Sequence, residues 1–329
     1  MIAVHPTLPE EGSVRLTSVV RRALSDRRPV VALESSVLAQ GLPAPENREA
    51  ARRMIAAVEA GGAVPAITAV VRGTPTVGLE PEELERFLDL ANPIAKLSAR
   101  DIPWAVARGI DGATTVAASI LLATRAGIQV FATGGIGGVH REPAFDESAD
   151  LLELARSSLV VVSAGAKSIL DLRATYERLE TLGILVLGYG TSELPGFFTA
   201  GTGITLGARV DSAADAARVF RAQRALERPG ALLVVQPPPA AHALSRQEVD
   251  AAVAAAETEW RKGSVAGAAL TPFLLDAVRR ATGGRSLEVN LALLEHNAAL
   301  AAEIATALAS EGRVPQVGFG ASEIQGSNR

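Results

Sequence analysis

The sequence predicts an α/β fold: a single α/β/α layered domain with a mixed, largely parallel central sheet. Three observations carry this. Short, continuous apolar runs alternate with helical patterns, as in parallel sheets covered on both faces. The chain is 48% hydrophobic but only 4% aromatic, which is Ala/Val/Leu packing. Two β-rich runs flank Gly73-Thr74-Pro75, a hairpin signal that makes the sheet mixed.

The elements follow in order. Helical periodicity over 13–27 precedes the first strand, Val30–Leu33. A helix over 46–61 leads into the strand Ala66–Val71, the hairpin, and a helix over 81–91. Thr114 and Thr115 read as N-caps of an apolar helix over 114–126, which runs into the strand Gln129–Ala132. Ser148 opens a helix over 148–156 ahead of the strand Leu159–Ser163. Ser168-Ile169-Leu170-Asp171 fits a capping-box start for a helix over 168–181, followed by the strand Ile184–Leu187. Helix 211–226 and strand Leu232–Val235 come next, then helices over 245–261 and 288–309. Pro237-Pro238-Pro239 is a rigid loop inside the domain, because the pattern is alike on both sides. The expected organisation is a tail over 1–12, one domain over 13–310 and an end segment over 311–329.

Net charge −4 and a pI near 5.7 argue against a nucleic-acid polymer as the main partner, since that binding rests on clustered cations. The absence of cysteine excludes disulfides and thiolate metal sites and fits a reducing cytoplasm. The first residues lack a basic patch and apolar core, so no signal peptide is expected. No apolar run reaches the ~18 residues that would suggest a membrane span. Helices 114–126 and 288–309 carry more apolar residues than one core-facing stripe needs, which points to subunit packing.

Only three lysines, Lys96, Lys167 and Lys262, stand among 32 basic residues; the rest are arginines. An arginine cannot act as an amine nucleophile, whereas a lysine can once burial or a positive field lowers its pKa. Lys262 follows Arg261 in a polar run and reads as a surface charge. Lys167 ends the apolar run Leu159–Val162 and the turn Ser163-Ala164-Gly165-Ala166, at a predicted helix start. Both burial and that helix end would favour the free base.

In open α/β sheets ligands sit at the carboxyl ends of strands. Glu34 directly follows the first strand, as a general acid or as a capping or paired carboxylate. Thr133 to His140 holds four glycines within Gly134–Gly138, which lets backbone N–H groups approach an anion. It matches neither a dinucleotide fingerprint nor a Walker loop. His140, one of four histidines, is either structural or functional there. Asp146, Glu147, Ser148 and Asp150 offer oxygen ligands to a hard cation or simply cap a helix. Lys96 suits a point-charge phosphate anchor, and Thr114 and Thr115 suit an anion site or plain N-caps.

Several long runs occur together in order: Val31-Ala32-Leu33-Glu34-Ser35-Ser36, Gly41-Leu42-Pro43-Ala44-Pro45-Glu46-Asn47, Thr133–Arg141, Phe145-Asp146 with Ser148-Ala149-Asp150, and Ala164–Asp171. With Thr271–Leu275 and Asn290, they closely resemble the pseudouridine-5′-phosphate glycosidase family over roughly residues 13 to 310. The resemblance implies reversible cleavage of pseudouridine 5′-phosphate to uracil and ribose 5-phosphate, by a homotrimer of α/β/α subunits using one divalent cation each, usually manganese. It makes Lys167 the covalent nucleophile, through an imine-type adduct with the ring-opened sugar, and Glu34 the proton donor. It assigns Asp146 to the metal. Substrate contacts fall to Lys96, Thr115, Val116, Thr133, His140, Ser148, Ala149, Asp150 and Asn290. The chain departs from the pattern in the short Glu142–Ala144 segment, at Glu147 and at Ser163. Two other activities share these residues: a different Schiff-base lyase or aldolase on a sugar phosphate, and a non-catalytic sugar-phosphate binder.

Overall fold

The computed structural model describes residues 14–142, 145–263, 265 and 270–310. The expected tail and end segment lie outside the described residues, as do Pro143 and Ala144 of the short segment.

The chain opens with β1 (Arg15–Leu16) and α1 (Ser18–Ser25), then β2 (Val30–Leu33), α2 (Glu46–Ala60) and β3 (Val64–Val71). The expected helix over 13–27 is therefore split. Arg15 and Leu16 pair with Thr76 and Val77 of β4 (Thr74–Val77), a long-range contact that local periodicity does not report. The predicted hairpin is present: β3 and β4 are antiparallel, with Val71 opposite Thr74. After α3 (Pro81–Leu88), two strands appear that were not expected, β5 (Ala95–Leu97) and β6 (Gly112–Thr114), with α4 (Ile102–Arg108) between them. Each spans three residues, too few for a periodic signal.

α5 (Val116–Arg125), β7 (Val130–Ala132), α6 (Ala149–Arg156) and β8 (Val160–Ser163) follow as expected. α7 runs over Leu172–Thr181, four residues later than its predicted start. Its N-cap is Asp171, whose side chain accepts from Ala174 N; Ser168 does not cap it. β9 (Leu185–Tyr189), β10 (Arg209–Val210), α8 (Ala213–Ala225), β11 (Leu232–Val235) and α9 (Arg246–Trp260) come next. α10 (Leu270–Ala281) was not anticipated; Pro272 lies within its first turn, where its missing N–H costs no helical bond. α11 (Arg285–Ser310) completes the order.

Seven strands form one parallel sheet in the order β3-β2-β7-β8-β11-β9-β10. β3 outruns it: Thr68–Val71 turns to antiparallel partners β4 and β6, and β6 carries β5 in parallel. This side arm brings Lys96 toward the main sheet. β2, β8 and β11 are buried along their whole length, and each fully buried Val or Leu stabilises by roughly 1.5–3 kcal/mol. α11 packs on β2, β7 and β8 between α2 and α8, while α5 and α6 pack together against the sheet from its other face.

α11 alone among the described helices is long and apolar enough to cross a membrane. Its apolar residues, from Val289 to Ala305, are instead buried in the core. α5 likewise buries Val116–Ile120, Leu122 and Ala123 within the chain. The apolar excess of both helices is thus accounted for by internal packing and gives no argument for an oligomer.

Asn47, fully buried at the start of α2, donates to Leu38 O at 3.1 Å and Leu88 O at 2.9 Å. Asn47→Ala strands both carbonyls. It is expected to lower unfolding free energy by about 3 kcal/mol. Urea denaturation checks this, and a loss under ~0.5 kcal/mol would show that these bonds hold nothing together.

Candidate active site

Strand register builds the site. Leu33 of β2 lies opposite Ala132 of β7, and Ala132 lies opposite Val162 of β8. The next residues, Glu34 and Thr133, therefore leave the sheet side by side, next to Ser163, the last residue of β8. Glu34 is buried, and its carboxylate accepts from Ser36 Oγ at 2.6 Å and from Thr133 Oγ1. Each carboxylate oxygen thus accepts from a hydroxyl, which fixes the plane of the group.

Beyond β7 and β8 the two loops zip together. Ile136 N donates to Gly165 O at 3.0 Å, and Lys167 N donates to Ile136 O at 3.1 Å. Gly165 has φ +86°, and a Cβ there would sit 2.5 Å from Pro195 O. A Cβ on Gly135 would meet the Phe197 ring at 2.6 Å. These close contacts require glycine and fix the backbone that presents Lys167. The Lys167 side chain forms no ion pair among the described residues.

One cavity gathers Glu34, Lys96, Lys167 and Asn290, with Gly134 and Gly135 on its floor. Val37, Phe197, Pro272 and Leu275 supply apolar wall. Burial, and then the Lys167 ammonium, hold the Lys96 amine below its ordinary value, while Glu34 and Asp150 oppose this. The expected influence of a helix end on Lys167 is corrected by the late start of α7; the neighbouring charge is Lys96.

Other expected residues act on the backbone around the cavity. Asp150 accepts from Ala117 N at 2.9 Å and Gly137 N at 2.7 Å, tying the start of α5 to the glycine loop. Ser148 caps α6 by accepting from Asp150 N, and Ala149 is its exposed first residue. Thr115 sits at the N-cap of α5 without a side-chain capping bond; its Oγ1 is buried without a partner. Val116 is core, so only its backbone can meet a ligand. Thr114 instead joins a buried hydroxyl cluster with Ser35, Thr68 and Ser119.

His140 and Asp146 lie to one side of Lys167. His140 N donates to Asp146 O at 2.9 Å, and the imidazole lines a small crevice with Ile169, Trp260 and Leu274. The Asp146 carboxylate takes no hydrogen bond among the described residues. No group of three or more His, Cys, Asp or Glu converges among those residues. Glu147 accepts from Arg178 Nε at 3.0 Å at the surface, and Lys262 is exposed as expected.

Two residues escaped the sequence reading. Asn297 of α11 is buried and donates to Thr133 O at 2.8 Å and Gly134 O at 3.2 Å, while its Oδ1 accepts from Gln236. Gln40 lines the cavity from the turn after Glu34-Ser35-Ser36. Neither stands at a strand end, so no rule of position marked them.

A family model described as indigoidine synthase A like protein matches residues 19–307. The chain belongs to the indigoidine synthase A-like family. A relative from Gemmatimonas aurantiaca, named pseudouridine-5′-phosphate glycosidase, is 59% identical over 89% of this chain and 96% of its own. One of the same name from Herpetosiphon aurantiacus is 52% identical, covering 89% and 97%. Among solved structures, the prealnumycin C-glycosynthase AlnA in complex with ribulose 5-phosphate aligns at TM-score 0.84 and 40% identity, covering 92% of this chain and 98% of that one. An indigoidine synthase A-like protein from Thermotoga maritima aligns at 0.82 and 35%, with the same coverage. Family members thus share this single α/β architecture.

Burial pushes the His140 imidazole below its ordinary value of 6.5; Asp146 opposes this and Lys167 adds to it. The unfolded chain then binds the proton more readily. The stability contribution is intact above the unfolded value and is lost as pH falls below it. His140→Gln is expected to flatten the fall in melting temperature between about pH 7.5 and about pH 5. Parallel wild-type and variant curves would place the acid sensitivity elsewhere.

Proposed function

We propose that the chain cleaves pseudouridine 5′-phosphate reversibly to uracil and ribose 5-phosphate. The observation that carries this is Lys167 meeting a second amine, Lys96, and the hydroxyl-held Glu34 in one cavity. The names of the relatives supply the substrate. The sugar phosphate bound by the C-glycosynthase AlnA supports a carbon–carbon bond at a phosphorylated pentose.

The chemistry follows from the residues. Pseudouridine has no glycosidic heteroatom, so paired carboxylates cannot do the usual work. Lys167 Nζ attacks C1′ while the C1′–O4′ bond breaks, and Glu34 gives O4′ its proton. The amine sheds a proton. Uracil C5 then takes up a proton as the C1′–C5 bond breaks, and the nitrogen lone pair closes a C=N imine. Water hydrolyses the imine, returning Lys167 and ribose 5-phosphate. An arginine at 167 offers no such lone pair. Lys96 and the unpartnered Thr115 Oγ1 suit the phosphate, and Asn290 suits the base or sugar.

Asp146 fits a divalent cation that keeps most of its waters, since such ions need only one or two carboxylates. We assign Mn²⁺ there; when bound, it supplies positive charge beside the phosphorylated substrate. The homotrimer rests on the family resemblance, and the cysteine-free chain suits the cytoplasm.

Lys167→Arg should fold and lose nearly all turnover. Borohydride should trap ribose 5-phosphate on Lys167 of the wild type alone, as mapped by peptide mass spectrometry. A variant keeping more than about a tenth of wild-type kcat, a barrier change below ~1.4 kcal/mol, would sink the nucleophile. A binder would give no adduct, and an aldolase would turn over ketose phosphates without releasing uracil.

Chelation should abolish activity and Mn²⁺ restore it. Asp146→Ala should raise the Mn²⁺ needed for half-activation about tenfold or more. Full activity in metal-free buffer would refute the assignment.

A further inference from the structure

Gln40 sits in the wide turn Val37–Gly41 that follows Glu34-Ser35-Ser36. The turn is anchored from behind by the Asn47 bond to Leu38 O. The Gln40 Nε2 donates to Ile94 O at 3.0 Å. A carbonyl oxygen only accepts, so this bond fixes which end of the amide is which. The other end, Oε1, is sealed from solvent and has no hydrogen-bond partner. Gln40 lines the same cavity as Lys167 and Glu34. A buried carbonyl left without a donor costs about 1–3 kcal/mol, so its partner is to be sought in the ligand.

The chemistry of that partner is constrained. Oε1 repels a phosphate or carboxylate and calls for an N–H or O–H. The cavity walls are apolar at Val37, Phe197, Pro272 and Leu275, which suits the faces of a planar ring and leaves only its edge to be satisfied. Uracil joined through carbon keeps both ring N–H groups, N1–H and N3–H, free as donors.

We propose that Gln40 Oε1 accepts a hydrogen bond from a ring N–H of uracil and so selects the base. This rests on the function proposed above and adds the residue that reads the leaving group. Gln40 takes no part in the covalent steps; it orients the base and rejects rings that lack the donor.

The test is synthesis of pseudouridine 5′-phosphate from uracil and ribose 5-phosphate by the full-length, Mn²⁺-supplied enzyme. Wild-type turnover is the check on the underlying reading; the split between the two KM values is the check on Gln40. Gln40→Met keeps length and removes the acceptor. It is expected to raise KM for uracil about tenfold or more and leave KM for ribose 5-phosphate within about twofold. A rise in both together, or in ribose 5-phosphate alone, overturns the proposal; the latter would make the donor a sugar hydroxyl. Independently of any variant, the wild type should reject one of 1-methyluracil and 3-methyluracil far more than the other, and the difference should collapse in Gln40→Met. Equal acceptance of both analogues by the wild type would also overturn it.

Discussion

The in-register parallel pairing of β2, β7 and β8 is the constraint on which the rest depends. Leu33, Ala132 and Val162 are locked in one row by backbone hydrogen bonds. Every chemically active group just beyond that row inherits its position. A slip of one residue in β7 would turn Thr133 to the other face and leave the Glu34 carboxylate without one of its two hydroxyls. Hydrophobic burial on both faces prevents the slip, because each strand is buried throughout and apolar but for Ser163 at the end of β8.

The site concentrates positive charge in a chain with few amines. Burial, and then the nearby charge of Lys167, disfavour the charged form of Lys96. Glu34 and Asp150 offset part of that cost. The remainder is a standing attraction for a phosphorylated ligand, so pocket electrostatics and ligand charge are complementary before any contact forms. Asp150 also works on the backbone, where its two acceptances join the start of α5 to the glycine loop. One carboxylate thus serves as charge and as brace.

Much of this was readable from residues. The apolar runs located the main strands, because parallel strands buried on both faces need continuous Val, Leu and Ala. Glu34, Thr133 and Lys167 were visible because they stand where apolar runs end. What failed to show were contacts between distant segments. β1 exists only because β4 is there to pair with it, and β5 and β6 are too short to carry a period. The start of α7 was misplaced since Ser168 resembles a cap, yet its hydroxyl is buried without a partner and Asp171 does the capping. Apolar excess on α5 and α11 suggested a subunit interface, but sequence cannot tell core from contact surface. Gln40 and Asn297 are ordinary amides until the fold places them.

Asn297 has a consequence for how the enzyme is made. Its bond to Thr133 O spans 164 residues of sequence. Nearly all the groups assigned to chemistry lie at or before Lys167, yet the strand end that steadies Glu34 is fixed by a helix that begins at Arg285. During synthesis the first half of the chain leaves the ribosome with Glu34, Thr133 and Lys167 made and the α11 contact missing. Closing so long a loop is slow, because chain entropy is lost before the contact is gained. The strand end that holds Thr133 against Glu34 therefore gains this support only once α11 docks, long after its own residues have been made.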